Sequence, residues 1–401
     1  MKLVAFSAKY LRLNEPLAFG LRDAEGRLLL AAGQVIDGRD LLEELNSQSL
    51  YADESESADW TRRLNAAVDA AIRQGAALKD VAAVRPDIAP REAAAPVAMP
   101  LPEQWHELVM HLDATLRDVR ADTDWRSRLF SVHARARQLI AQRLDASLYH
   151  MVYDAAHSTQ KYSCRHTLLT MLICEQAGPM LGWNLAQVDS LGRAALTMNV
   201  AIQRLQDKLA ATHLNLTSDM RTEVAAHAAA GARQLQEAGI GDPLCCRVVE
   251  LHHDASQAEV PLASLPIERQ LARLLRRVDI FAAKISRRAT RAPMSPVQAA
   301  REACLGAGGV PDEVGGALLK AVGLYPPGSY VELANGEIGI VVARGRRANL
   351  PYVASLVSTS GSPLGEPALR DTIDRRYNVK AAVAASLVKV RPQHERVLAL
   401  R

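Results

Sequence analysis

The chain has 401 residues and a mass of 43.5 kDa, longer than one ordinary domain, so two or three folding units are expected. Hydrophobic residues make up 49% but aromatics only 4%, which favours helices packed through Ala and Leu over a β-rich architecture. Net charge is +4, from 48 basic and 44 acidic residues, too balanced for a protein that coats nucleic acid. The odd count of five cysteines, with no CxxC pair, argues against a disulfide framework and suits a reducing cytoplasm.

Residues 1–52 read as a small α/β module. Leu17-Ala18-Phe19-Gly20-Leu21 and Arg27-Leu28-Leu29-Leu30 flank Asp23-Ala24-Glu25-Gly26, a stretch of hairpin-turn composition, and a short helix is expected over 39–46. The opening apolar run breaks too early for a secretory signal, and no later stretch reaches the roughly 18 apolar residues of a membrane span. A soluble cytoplasmic protein is the expectation. Over 53–102, Trp60, Leu64, Val68 and Ile72 stripe one helical face. Pro86, Pro90, Pro96, Pro100 and Pro102 among alanines then read as a semi-rigid linker.

Residues 103–325 read as a helical domain. Trp105, Leu108, Leu112 and Leu116 stripe its first helix, and Trp125, Leu129, Val132 and Leu139 its second. From 326 to 401 the period changes to two. Tyr330-Val331-Glu332-Leu333, a turn at Asn335-Gly336, and Ile338-Gly339-Ile340-Val341-Val342 open a strand-rich tail. The predicted fold class is therefore mostly α, a helical bundle with a small N-terminal α/β module and a strand-rich C-terminal module.

The chemistry-bearing residues lie inside the helical region: His166, His227, the adjacent pair His252-His253 followed by Asp254, and Asp279. Scattered histidines and a carboxylate on facing helices are one way to build a metal site in a bundle. A lone histidine is more often a hydrogen-bonded core residue, and the His-His-Asp run is what raises the metal reading above that.

In this spacing, residues 148–345 resemble the HD-GYP branch of the HD-domain metal phosphohydrolases, bacterial enzymes that hydrolyse cyclic di-GMP. His166-Thr167 stands at the first His of that pattern. Leu216-Thr217-Ser218-Asp219, His227 and Gly231 reproduce its Leu-Thr and His-Pro-x-x-Gly elements without a gap. His252-His253-Asp254 matches His-His-Glu, Asp279 the late Asp, and Pro327-Gly328-Ser329-Tyr330-Val331-Glu332-Leu333 the closing tail. The resemblance implies an HD-domain-like bundle and a cluster of bound cations.

The departures fall on the signature itself. Met198-Asn199 occupies the place of His-Asp, Ile202 that of the signature Lys, and Tyr162 that of a Glu four residues before the first His. The family chemistry, as the resemblance implies it, needs hard cations bridged by the signature Asp, which help generate a metal-bound hydroxide. Asn199 offers a neutral amide and Met198 a soft thioether, both poor ligands for such ions. Loss of even an outer-sphere partner costs about 10- to 100-fold, so changes at three positions point away from hydrolysis. The expected Gly-x-Gly-Tyr-Pro falls on Ala258-Glu259-Val260-Pro261-Leu262.

What the resemblance leaves is His166, His227, His252, His253 and Asp279 as residual ligands, for no metal or for one divalent iron or manganese ion. Arg288 and Arg291, in a retained Ser286-x-Arg-x-Thr290-Arg element, remain for a ligand's phosphate. Arg273, Arg276, Arg277 and Arg287 nearby equally suit a solvated basic helix end. The reading is a degenerate signalling protein that acts through a protein partner, with cyclic di-GMP as a candidate ligand. The alternative is a phosphodiesterase with a rearranged, single-metal site. A nucleic-acid-binding role has no recognisable motif behind it. HDOD modules, a related fold without metal ligands, are not expected to carry His-His-Asp or the Pro-x-Gly tail.

Overall fold

The computed structural model describes residues 3–74, 77, 99–213, 216–305 and 309–401. Pro86, Pro90 and Pro96 of the expected linker lie outside the described residues. The chain divides into two compact units, Met1–Ala114 and Thr115–Arg401.

The first unit carries a four-stranded sheet in the order β1-β4-β2-β3, formed by Leu3–Phe6 (β1), Leu21–Arg22 (β2), Leu28–Leu30 (β3) and Leu50–Asp53 (β4). The hairpin expected around 23–26 is present, and Leu21 pairs with Leu30. Its first strand is shorter than the apolar run suggests, because Ala18-Phe19 form a bend. Helix α1 (Arg39–Asn46) buries Leu41 and Leu45 in the same core as Phe19, Ile36 and Leu50. Helix α2 (Glu54–Arg73) follows β4 directly. Its Trp60 meets Phe6 and Phe19 edge-on, with ring centroids 5.8 and 5.6 Å away, so the head of the stripe belongs to the module core. Pro102 is not linker. It sits in the first turn of α3 (Leu101–Arg117), where a missing N–H removes no helical bond.

The second unit is helical up to residue 322. It contains α4 (Trp125–Gln142), α5 (Leu144–His157), α6 (Tyr162–Ala177), α7 (Leu185–Thr197), α8 (Gln203–Ala211), α9 (Ser218–Glu237), α10 (Pro243–Leu251), α11 (Ile267–Ile285), α12 (Pro296–Cys304) and α13 (Glu313–Val322). The run Thr167-Leu168-Leu169-Thr170-Met171-Leu172-Ile173-Cys174 has no polar face, and α6 is accordingly buried all round, packed by α5, α7, α11 and α13. Asn184 starts α7 with a reciprocal capping box to Gln187. Thr217 caps α9 by accepting from the Met220 N–H at 3.2 Å. Gly231 lets α9 approach Val200 and Val249 closely, since a Cβ there would lie 3.3 Å from Val200 Cγ1.

The tail is a five-stranded antiparallel sheet, β8-β7-β6-β5-β9, with β5 at Tyr330–Leu333, β6 at Ile338–Ala343, β7 at Tyr352–Val357, β8 at Pro363–Asp371 and β9 at Val379–Val383. A short helix, α14 (His394–Leu398), packs Val397 and Leu398 into the core shared by Tyr149 and Tyr330. Gly328 has φ +89°, and a Cβ on it would strike the Tyr149 carbonyl, so the Pro-Gly step fixes where the sheet meets α5. The mostly α class with a small α/β module and a strand-rich tail is thus observed. Among the described residues no helix is long and apolar enough to cross a membrane.

Candidate metal centre

Five elements of the second unit deliver the site. His166 lies one turn into α6, so it shares a face with Tyr162. Asn199 follows the end of α7, His227 lies on α9, His252-His253 follow the last turn of α10, and Asp279 is on α11.

His227, His252 and His253 converge, with one nitrogen from each ring inside a span of 4.8 Å. His227 Nε2 lies 3.3 Å from His252 Nε2 and 3.2 Å from His253 Nε2. The other nitrogens decide what these contacts are. His227 Nδ1 donates to the Val224 carbonyl and His252 Nδ1 to the Val249 carbonyl, each at 2.6 Å. A carbonyl can only accept, so each Nδ1 carries the hydrogen and each neutral ring presents a lone pair at Nε2. Two lone pairs face each other across 3.3 Å, an arrangement that a cation relieves. Ligands about 2.0–2.1 Å from a tetrahedral ion lie roughly 3.4 Å apart, close to the observed separations. Backbone-held Nδ1–H groups are the usual support for metal-binding imidazoles.

Burial, reinforced by His253 and His227, pushes His252 down to about 3 despite the opposing field of Asp279, so the ring stays neutral and available. His253 is lowered by burial and by the neighbouring charges of His227 and Arg276. The donor set therefore fits one ion.

His166 and Asp279 form a separate pair. His166 is almost fully buried and its Nε2 lies 2.7 Å from Asp279 Oδ1. Burial opposes ionisation of Asp279, but the His166 hydrogen bond and the fields of His166, His252 and His253 outweigh it and hold the carboxyl at about 2. The signature positions are apolar or unsatisfied: Met198 and Ile202 are buried, and Asn199 is buried with no hydrogen-bond partner for its Nδ2 among the described residues. His166 Nδ1 is likewise unpartnered.

The two arginines expected to face phosphate diverge. Arg288 donates to Tyr162 Oη from Nε at 3.2 Å and Nη2 at 2.8 Å. Arg291 is exposed and donates to the Ala283 carbonyl at 2.8 Å.

Sequence reasoning missed a polar network in which His133 and Glu175 are buried and Arg137, Asp189, Arg193 and Asp242 are half-buried. His133 on α4 meets Glu175 on α6 at 2.6 Å, Arg137 bonds Glu175 at 3.1 Å and Asp189 at 2.7 Å, and Arg193 joins Asp189 to Asp242. Its members are far apart in sequence. Only Gly192, a glycine in mid-helix, hinted at it, because a Cβ there would overlap Glu175 Oε1 and His133 Nε2.

No family model matches the chain, and no curated protein is similar to it at the level searched. Among solved structures the chain is similar to Bd1817, a HDG"Y"P protein from Bdellovibrio bacteriovorus. The match has 13% sequence identity and a TM-score of 0.43, over 80% of this chain and 99% of that one. The functional reading rests on the histidine geometry and the motif register, not on that likeness.

Proposed function

We propose that this chain is a degenerate HD-GYP-like signalling protein that keeps a single-ion site but does not hydrolyse cyclic di-GMP. The observation that carries the reading is the contrast between two halves of one region. His227, His252 and His253 keep ligand geometry, and His227 and His252 keep their Nδ1–H groups on backbone carbonyls. The signature positions hold a buried thioether and a buried amide whose Nδ2 has no partner among the described residues.

His227, His252 and His253 would hold the ion, and an all-imidazole set suits iron or zinc better than manganese, which prefers oxygen donors. When bound, such an ion supplies a Lewis-acidic centre that can also tie α9 to the end of α10. Hydrolysis by two ions needs a carboxylate bridging them. Asp279 is committed to His166, and Asn199 cannot supply the charge. Function then runs through a protein partner, with cyclic di-GMP as the candidate ligand.

The retained triad favours one alternative, a phosphodiesterase working with a single ion. Incubation with cyclic di-GMP and iron, zinc or manganese, followed by separation of bound, cleaved and untouched nucleotide, distinguishes them. Binding without cleavage is the expected result, and steady release of linear dinucleotide overturns the proposal.

A further inference from the structure

Arg288 is half-buried and has no carboxylate partner among the described residues. Its recorded side-chain acceptor is the hydroxyl of Tyr162, reached from Nε and Nη2. The guanidinium carbon also lies 5.0 Å from the Tyr162 ring centroid. The same ring also lies parallel to His166, with an interplanar angle of 6° and 5.7 Å between centroids. Tyr162 is 3% exposed, so one buried ring contacts both the guanidinium and His166, the partner of Asp279.

A neutral phenol is a weak acceptor for a guanidinium that has five donors. Hydrogen bonds to a charged phosphate oxygen are roughly twice as strong, and arginine makes them two at a time. The contact holds the arginine in place without satisfying it.

We propose that Tyr162 is an internal competitor for an anionic ligand at Arg288: a phosphate-bearing ligand binds only when the Tyr162–Arg288 contact opens. This deepens the reading of cyclic di-GMP as ligand and rests on it. If the closed form dominates by about ten to one, apparent affinity falls by that factor, because only the open fraction is competent.

The test is isothermal titration of the full-length chain with cyclic di-GMP, and with inorganic phosphate as a second probe. Tyr162→Phe keeps the ring stacked on His166 and removes the acceptor, and is expected to bind cyclic di-GMP about ten-fold tighter than the parent. Arg288→Met is expected to lose at least ten-fold in either background, erasing the gain from Tyr162→Phe. Equal affinities of Tyr162→Phe and parent overturn the proposal, as does unchanged binding by Arg288→Met. Absence of binding in both parent and Tyr162→Phe also overturns it. Cleavage of the nucleotide by the parent instead overturns the non-hydrolytic reading, and the Tyr162→Phe comparison is then read on binding alone.

Discussion

Loading the histidine triad with one ion should stabilise the second unit, and the size of the effect follows from the geometry. Without a cation, His227 and His252 present facing lone pairs at 3.3 Å, while their Nδ1–H groups are pinned to backbone carbonyls. No ring has to turn to accept the ion, so the binding free energy goes largely into the folded state. At an ion concentration 100 times the dissociation constant the gain is about 2.7 kcal/mol. In a unit of this size each kcal/mol moves the melting temperature by roughly 2–4 °C, giving a rise of roughly 5–10 °C. The assay is calorimetry of the chelator-stripped full-length chain with and without zinc, and with iron under anaerobic conditions. His252→Ala removes a ligand that is fully buried, and should reduce the shift to about a degree or less. A parent whose melting is indifferent to saturating ion, or a His252→Ala chain that shifts as far as the parent, refutes the single-ion site.

Met198→His with Asn199→Asp should raise the metal content above that of the parent before any cleavage appears, because it puts an imidazole and a carboxylate at two buried positions that now carry a thioether and an amide; elemental analysis after dialysis checks it. Gly192→Ala gains about 1 kcal/mol of helix propensity but drives a methyl into the His133–Glu175 contact. Leaving a buried hydrogen-bonding group without its partner costs about 1–3 kcal/mol, so urea unfolding should show a net loss of up to about 2 kcal/mol, whereas a variant stabilised by the full helix-propensity gain would mean the network yields freely. His394, buried against Tyr153 and bonded to Tyr149 at 3.1 Å, is pushed down to about 4 by burial and by His157. The folded chain thus binds this proton less readily than the unfolded one. Its contribution to stability is present above about pH 6.5 and is lost as the pH falls toward 4. His394→Phe should flatten the fall in stability across that window, and an unchanged slope would assign the acid sensitivity elsewhere.

Much of this was legible in the chain because it is written at short range. The stripes from Trp105 and Trp125 become α3 and α4, and the switch to period two at Tyr330 becomes β5 and β6. In the gapless run from Leu216 to Gly231, Thr217 caps a single helix that carries Ser218 through Gly231, so its spacing survives folding intact. The triad joins that helix to the end of its neighbour, and only the identity of His252-His253 as a pair made it visible. How the five candidates divide was not legible. Asp279 turning to His166 and Arg288 turning to Tyr162 are choices among acceptors brought together by α6, α11 and the segment after α11, separated by 113 and 126 positions. Arg137, Asp189 and Arg193 looked like helix-surface charges, and only the apposition of α4, α6 and α7 turns them into a partly buried network.

The substitutions at 198 and 199 acquire a physical logic once the two halves are compared. An aspartate at 199 would put a further carboxylate in a buried setting, where it is costly to keep ionised without a cation. Such a site needs its ions in order to be stable. Asn199 and Met198 remove the charge and Tyr162 stacks on His166, so the half around Asp279 is balanced by His166 from within. In the triad the Nε2 lone pairs of His227 and His252 face one another at 3.3 Å, while Asp279, whose field favours protonation of His252 and His253, is hydrogen-bonded to His166 instead. A cation is therefore superfluous on one side and wanted on the other, which is why the expected stoichiometry is one.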